Sequence, residues 1–120
     1  MKASVPQVPG SFDARFGEVP RWRRDPFRAL FPLGVALAWA GVAHWVLHAT
    51  GQVESYMSVF HAIAQVQGFM TCLAAGFLMT AIPRRTVTEP PSAPVMSAAL
   101  SLPVLTTVAA WYSWLALSQS

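Results

Sequence analysis

Three histidines and one glutamine are the residues whose types and spacing could support chemistry in this chain. His44 and His48 are four positions apart, so they share one face of a helix. His61 follows after a short turn, and Gln65 lies one helical turn beyond it. If the two helices form an antiparallel hairpin, the three imidazoles reach similar depths near the turn. Polar side chains inside a membrane span are costly and usually have a partner, so these residues form a candidate binding site.

Imidazole is a common protein ligand for haem iron, and it also suits copper and zinc. Two histidines on adjacent helices at matched depth are what a membrane haem requires. The competing interpretation places the same histidines at the membrane interface, bonded to water and lipid headgroups. The spacing of His44, His48 and His61 leaves both interpretations open.

No arrangement typical of a catalytic site is found in the sequence. We see no nucleophile–base pair, phosphate-binding loop or pair of carboxylates. Glu54 is the only acidic residue between Arg28 and Arg84, and we interpret it as a turn residue. The sequence therefore predicts no catalytic residue and leaves enzymatic activity undecided.

Long uncharged stretches must position the histidines. The chain is 54% hydrophobic and 11% charged, whereas a soluble domain has about a quarter charged residues. The sequence predicts an all-α integral membrane protein with three transmembrane helices, at about residues 27–50, 55–82 and 95–117. Each predicted helix is long enough to cross a hydrocarbon core of about 30 Å. Residues 26–120 would form the transmembrane region.

The distribution of basic residues predicts the orientation. All eight Lys and Arg residues lie in the segment before the first helix, at its start, or at Arg84 and Arg85. By the positive-inside rule, the N-terminus and the second loop are cytoplasmic and the C-terminus is on the other side. We expect residues 1–25 to form a mobile cytoplasmic tail. Because the cations flank apolar spans, they favour contact with membrane lipid over nucleic acid.

Small residues recur every fourth position in the second predicted helix. Such a face lets another helix approach closely, so it predicts tight helix packing. Packing is also the favoured role for the single cysteine. The alternative for the spacing is chance occurrence in an apolar helix. The alternative for the cysteine is a reactive or metal-bound thiol. We call this set the small-residue ladder; its members are Ala64, Gly68, Cys72, Gly76 and Thr80.

Three stretches of the chain resemble the NnrS family. They are Asp25-Pro-Phe-Arg-Ala-Leu-Phe-Pro-Leu-Gly34, Phe60-His-Ala-Ile-Ala-Gln-Val-Gln-Gly-Phe69 and Ala75-Gly-Phe-Leu-Met-Thr-Ala-Ile-Pro83. The last is similar to the family segment "AGFLLTAxP". Members of that family are polytopic bacterial membrane proteins that bind haem and copper and are linked to nitric oxide stress. The resemblance therefore implies a multi-pass protein of the bacterial inner membrane.

The resemblance also selects among the candidate ligands. The family's His-Ala pair matches His61-Ala62, which makes His61 the candidate haem or metal ligand. His44 is then the expected second ligand, with His48 as the alternative, and Gln65 lies beside the site. Many members follow the pair with His-Glu, whereas this chain has Ile63-Ala64-Gln65. The usual "PNWTG" segment of the family corresponds to Pro83-Arg-Arg-Thr-Val87 in this chain.

Two interpretations of function follow. In the first, the chain is an NnrS-like membrane protein, or a short version of one, that binds haem or copper near the non-cytoplasmic face. In the second, it is a cofactor-free structural subunit whose small-residue ladder packs in a larger membrane complex. Family members have about a dozen spans and this chain has three predicted. In both interpretations we expect it to pack against other subunits or further helices.

Overall fold

The computed structural model describes residues 4, 6 and 8–118, and within these residues the chain is helical and has no β-strand. Residues 1–3, 5 and 7 of the predicted tail, and residues 119–120, lie outside the described residues. The elements, in chain order, are α1 (Phe12–Phe16), α2 (Arg21–Arg24), α3 (Phe27–Ala49), α4 (Ser58–Ile63), a π-helical segment (Ala64–Met70), α5 (Thr71–Thr86) and α6 (Ala93–Ser118).

Three helical stretches are long and apolar enough to cross a membrane. They are Phe27–Ala49, Ser58–Thr86 and Ala93–Ser113, which we call the first, second and third spans. The second span runs without interruption through α4, the π segment and α5. This confirms the predicted all-α architecture with three transmembrane helices. The orientation of the termini stays a prediction.

The second span extends past residue 82, where we predicted its end. Pro83 lies inside α5, and the helix ends where Val87 adopts a left-handed conformation with φ 52°. A proline beyond the first turn of a helix removes one backbone hydrogen bond, and its ring crowds the carbonyl four residues earlier. The turn beyond Pro83 is held in place because Arg84 is bonded to Asp25 at the start of the first span. Rules based on neighbouring residues could not predict this contact, because Arg84 and Asp25 are far apart in the sequence.

The small-residue ladder packs against α3 within the same chain. A Cβ added at Gly34 would lie 2.9 Å from the Cβ of Cys72, and one added at Gly41 would lie 2.9 Å from the Cβ of Ala64. A Cβ at Gly68 would lie 3.0 Å from the Cβ of Leu37. Contacts this short leave no room for larger side chains. The two helix backbones approach closely because small residues face each other across the contact.

The π segment keeps this ladder on one face of the second span. An α-helix has 3.6 residues per turn, so positions four apart rotate by about 40° per step, or about 160° over four steps. A π-helix has wider turns and therefore reduces this rotation. Ala64 and Cys72 both have 0% exposure, and Gly68 and Gly76 are also buried. A continuous α-helix would have turned part of the ladder away from α3.

Thr80, the last residue of the ladder, connects the end of the second span to the start of the first. Its hydroxyl accepts a hydrogen bond from the Phe27 backbone N–H at 3.2 Å and donates to the Gly76 carbonyl at 2.7 Å. The first N–H groups of a helix have no partner inside it. Thr80 therefore satisfies one such group at the start of α3.

The segment before α3 is folded against the second span. Phe12 in α1 is buried, and the Arg84 guanidinium lies 5.0 Å from the centre of its ring. Arg84 also pairs with Asp13 at 3.5 Å. In addition, Arg23 donates to the Pro91 carbonyl at 3.0 Å. Within the described residues, Arg84 thus provides a docking point for α1.

Candidate functional site

His44 is a buried residue enclosed by aromatic rings. It is 1% exposed, its ring stacks on Tyr56 at 5.8 Å between centroids, and the rings of Phe60 and Trp111 meet it edge-on. Its Nε2 accepts a 2.7 Å hydrogen bond from the backbone N–H of Met57. Met57 immediately precedes α4, so His44 holds the start of the second span.

This hydrogen bond determines which nitrogen of His44 carries the proton. Because Nε2 accepts, the neutral ring carries its hydrogen on Nδ1. Nδ1 is buried and has no hydrogen-bond partner among the described residues. The Nε2 lone pair, which would bind a metal, already accepts the hydrogen bond from the Met57 N–H. In this conformation His44 does not offer a free ligand atom.

His61 has the opposite arrangement. Its Nδ1 lies 3.1 Å from the carbonyl oxygen of Gly41, and since a carbonyl only accepts, Nδ1 is the donor. Nε2 is then unprotonated, and it makes no hydrogen bond within residues 8–118. Metal-binding histidines usually donate their other N–H to a carbonyl or carboxylate, which fixes the tautomer and the ring orientation. In the neutral His61 ring, Nε2 is therefore the nitrogen that carries a free lone pair.

His48 shares this arrangement in a more exposed place. Its Nδ1 lies 3.3 Å from the Val53 carbonyl oxygen in the loop between the first two spans, so it donates there and leaves Nε2 free to accept. The side chain is exposed. It lies 5.9 Å, centroid to centroid, from the ring of Tyr56.

Gln65 forms a second polar connection to α3. Its amide Nε2 donates to the Ala38 carbonyl at 3.0 Å, one helical turn from the Gly41 carbonyl that accepts from His61. A Cβ at Gly41 would lie 2.8 Å from this amide nitrogen, so the glycine leaves the space that Gln65 occupies. His61 and Gln65 thus both connect the second span to carbonyl groups of the first.

Ring contacts bring the three histidines into one cluster. The Tyr56 ring contacts both His44 and His48, and Trp45 lies 5.7 Å from Tyr56 and 6.4 Å from His61. Trp45 Nε1–H donates to the Tyr56 hydroxyl at 2.7 Å. We call His44, His48 and His61 the histidine cluster. Sequence reasoning did not include Tyr56, Trp45 or Met57. Their position at the chain reversal is the only signal that could have indicated them.

The described histidines do not form a many-ligand metal site. Within the described part of the chain, no three His, Cys, Asp or Glu residues are grouped so that they could hold a metal ion. A haem needs only one or two protein ligands, because the porphyrin supplies the other four. Cys72 is buried in the packing face with α3, so its thiol is not part of the cluster.

The fold and the cluster define a three-span helical membrane protein with histidines at the end of its first hairpin. The family model described as NnrS protein matches residues 21–119, and the chain belongs to the NnrS family. This match confirms the family suggested by the three motif stretches. No curated protein and no solved structure matches the chain.

Proposed function

We propose that this NnrS-family chain binds haem at its histidine cluster, with Nε2 of His61 as an iron ligand. The observation that carries the proposal is the hydrogen bond from His61 Nδ1 to the Gly41 carbonyl. It holds the ring in the tautomer that an iron ligand requires and leaves Nε2 free. The family membership supports the same assignment, since the family resemblance implies haem and copper.

The second ligand, where one is used, is His48 in this proposal. Its Nδ1 also donates to a carbonyl and leaves Nε2 free, whereas Nε2 of His44 is bonded to Met57. We assign His44 a positioning role, because it holds the residue that precedes α4, the helix that carries His61. Copper would need further ligands from outside the described residues, so haem is the preferred group.

When bound, a haem supplies one-electron redox chemistry and a site for diatomic ligands. The chain's own residues would hold and enclose it. His61 would be oriented by Gly41, and the aromatic rings of Trp45 and Tyr56 would lie beside the site. The resemblance links this chemistry to nitric oxide stress. We assign no catalytic residue.

The proposed cellular setting is the bacterial inner membrane, with residues 1–25 cytoplasmic and residues 26–120 forming the transmembrane region. The concentration of arginines around α1, α2 and the end of α5 supports this orientation. The histidine cluster, at the opposite end of the first two spans, would then lie near the non-cytoplasmic face.

Haem titration of the purified protein in detergent tests the proposal. We expect wild-type protein to develop a Soret band at stoichiometric haem and His61→Gln to lose or strongly shift it. Glutamine retains an amide donor for the Gly41 carbonyl but has no imidazole for iron, so it separates ligation from helix packing. An unchanged spectrum in His61→Gln, with the protein folded, would refute His61 as the ligand.

The alternative function is a cofactor-free structural subunit. It is favoured by the bonds from His61 and Gln65 to carbonyls of α3, which also serve a purely structural connection between two spans. Under this alternative, correctly folded wild-type protein takes up no haem. His61→Ala would then lower thermal stability and produce no spectroscopic change.

A further inference from the structure

Several arginines lie where the first span begins and the second span ends, and some of them have protein partners. Arg84 is bonded to Asp25, which brings the two ends together. In α2, Arg23 and Arg24 each donate to a backbone carbonyl, at 3.0 Å and 2.9 Å. These side chains hold the segment before α3 in place, so their hydrogen bonds serve the fold.

Three further arginines at this end are exposed, and we call them the rim arginines: Arg21, Arg28 and Arg85. The side chains of Arg21 and Arg85 make no hydrogen bond or ion pair with any residue that the structure describes. The Arg28 side chain is 61% exposed and lies 3.6 Å from Asp25, a carboxylate that is already bonded to Arg84. The rim arginines therefore keep guanidinium N–H donors that no described protein group uses.

The position of the rim arginines along the spans sets their depth. Arg28 is the second residue of the first span, and Arg85 is the second-to-last residue of the second span. An α-helix rises 1.5 Å per residue, so each lies within about 2 Å of the end of its span. Arg21 precedes Phe27 by six positions, and Trp22 beside it is 41% exposed. Exposed tryptophan and arginine are typical of the lipid headgroup layer.

The helix faces that carry Arg28 and Arg85 continue into the spans as exposed apolar surface. Positions three, four, seven or eleven residues apart share a face of a helix. The exposed apolar side chains at these spacings are Val35 (46%) and Trp39 (68%) on α3, and Ile82 (54%) and Leu78 (49%) on α5. A cation at headgroup depth with apolar side chains beneath it matches the form of a phospholipid, which joins a phosphate to acyl chains.

Positive charge is in excess at this end of the molecule. Seven arginines and four acidic residues lie within residues 12–28 and 84–89, which leaves a net charge of +3. The guanidinium group presents its N–H donors in a planar fork that fits phosphate. A zwitterionic headgroup adds its own cation beside the phosphate, whereas an anionic headgroup does not. The excess charge therefore favours anionic lipid.

We propose that the rim arginines bind the headgroup phosphates of anionic phospholipid, with the acyl chains lying along the apolar faces below Arg28 and Arg85. The exposed guanidinium groups supply the donors, and the span ends place them at phosphate depth. This inference does not depend on haem binding or on which leaflet contains the headgroups. The Soret readout of His61 is separate, so failure of either proposal is recognised by itself.

Lipid titration of the purified full chain tests the proposal. With native mass spectrometry as the readout, we expect phosphatidylglycerol to bind more tightly than phosphatidylcholine, which has the same phosphate but no net charge. Replacing the rim arginines by glutamine one at a time should weaken phosphatidylglycerol binding about fivefold for each arginine removed. Equal affinity for the two lipids, or unchanged affinity in all three variants, would overturn the proposal.

Arg24→Gln is the matched control for Arg21→Gln. Both variants remove one positive charge from α2, but Nη1 of Arg24 is bonded to the Gly17 carbonyl and its Nε is buried. We expect Arg24→Gln to leave lipid affinity unchanged and to lower the melting temperature. We expect Arg21→Gln to do the reverse. Equal loss of lipid affinity in the two variants would show that only net charge matters, and would overturn the assignment to the rim arginines.

Competition with a soluble phosphate separates the lipid from its headgroup. Glycerol phosphate, which has no acyl chain, should not displace bound phosphatidylglycerol at equal concentration, because it makes no contact with the apolar helix faces. Displacement at equal concentration would assign the rim arginines to a free phosphate compound and overturn the lipid proposal.

Discussion

Arg84 and Asp25 lie 59 positions apart in the sequence and form a hydrogen-bonded ion pair where the first span begins and the second span ends. The Asp25 side chain is only 8% exposed, and it also lies 3.6 Å from Arg28. Arg84 connects the same carboxylate to Asp13 and to the ring of Phe12. One arginine thus joins the end of the second span, the start of the first span and helix α1.

Replacing Asp25 tests the importance of this pair for stability. We expect Asp25→Asn to lower the free energy of unfolding by about 1–2 kcal/mol, because the amide oxygen can still accept from Arg84 but the acceptor loses its negative charge. The loss is limited since Arg84 is 36% exposed and solvent screens the pair. Thermal unfolding in detergent measures the effect. Asp13→Asn is the matched control, and an equal effect there would show that burial of Asp25 is unimportant.

Bulk added to the small-residue ladder should separate the first two spans. A Cβ at Gly76 would lie 3.0 Å from the Phe31 ring and 3.1 Å from the Cβ of Leu30, so Gly76→Leu has no space. We expect a loss of about 2–3 kcal/mol or failure to fold, and a similar loss for Gly68→Leu. Ala98→Leu, at an exposed position of α6, is the control and should change the melting temperature little. Equal losses at all three sites would mean that the ladder is incidental.

Removal of His44 should affect stability and leave haem binding largely intact. In His44→Ala the Met57 N–H loses its acceptor and a buried ring is replaced by a cavity. We expect a loss of about 2–4 kcal/mol in stability. The exposed His48 provides the contrast, because His48→Ala should change the haem spectrum with little effect on melting. The reverse pattern would make His44 the second ligand.

The predicted topology can be tested with fusions in bacterial cells. The positive-inside rule places Arg85 in the cytoplasm and the C-terminus beyond the membrane. A reporter that is active only in the periplasm should therefore be active when fused at Ser120 and silent when fused after Arg85. The opposite pattern would overturn the orientation and would place the histidine cluster near the cytoplasm.

The aromatic partners and tautomers of the candidate site could not be predicted from spacing. Helical periodicity and chain reversal place His44, His48 and His61 near one end of a hairpin. Which ring nitrogen is free depends on the hydrogen-bond partner of each histidine. Nδ1 of His61 donates to the Gly41 carbonyl, and Nδ1 of His48 donates to the Val53 carbonyl. The Met57 N–H makes an acceptor of His44. These bonds form only after the helices pack, so the sequence led us to expect His44 as the second ligand, with His48 as the alternative.

The sequence by itself determined the number and character of the spans. Lipid-buried helices need about 20 apolar residues, and every backbone group in them is satisfied locally, so composition is sufficient to find them. The small-residue ladder was also visible, because its spacing is a local property. Tertiary structure decided the rest. It placed α3 on the ladder, introduced the π segment that keeps the ladder facing α3, and extended α5 past Pro83 through the contact between Arg84 and Asp25. Each of these features depends on residues far apart in the chain, whose contacts outweigh the local preferences of the backbone.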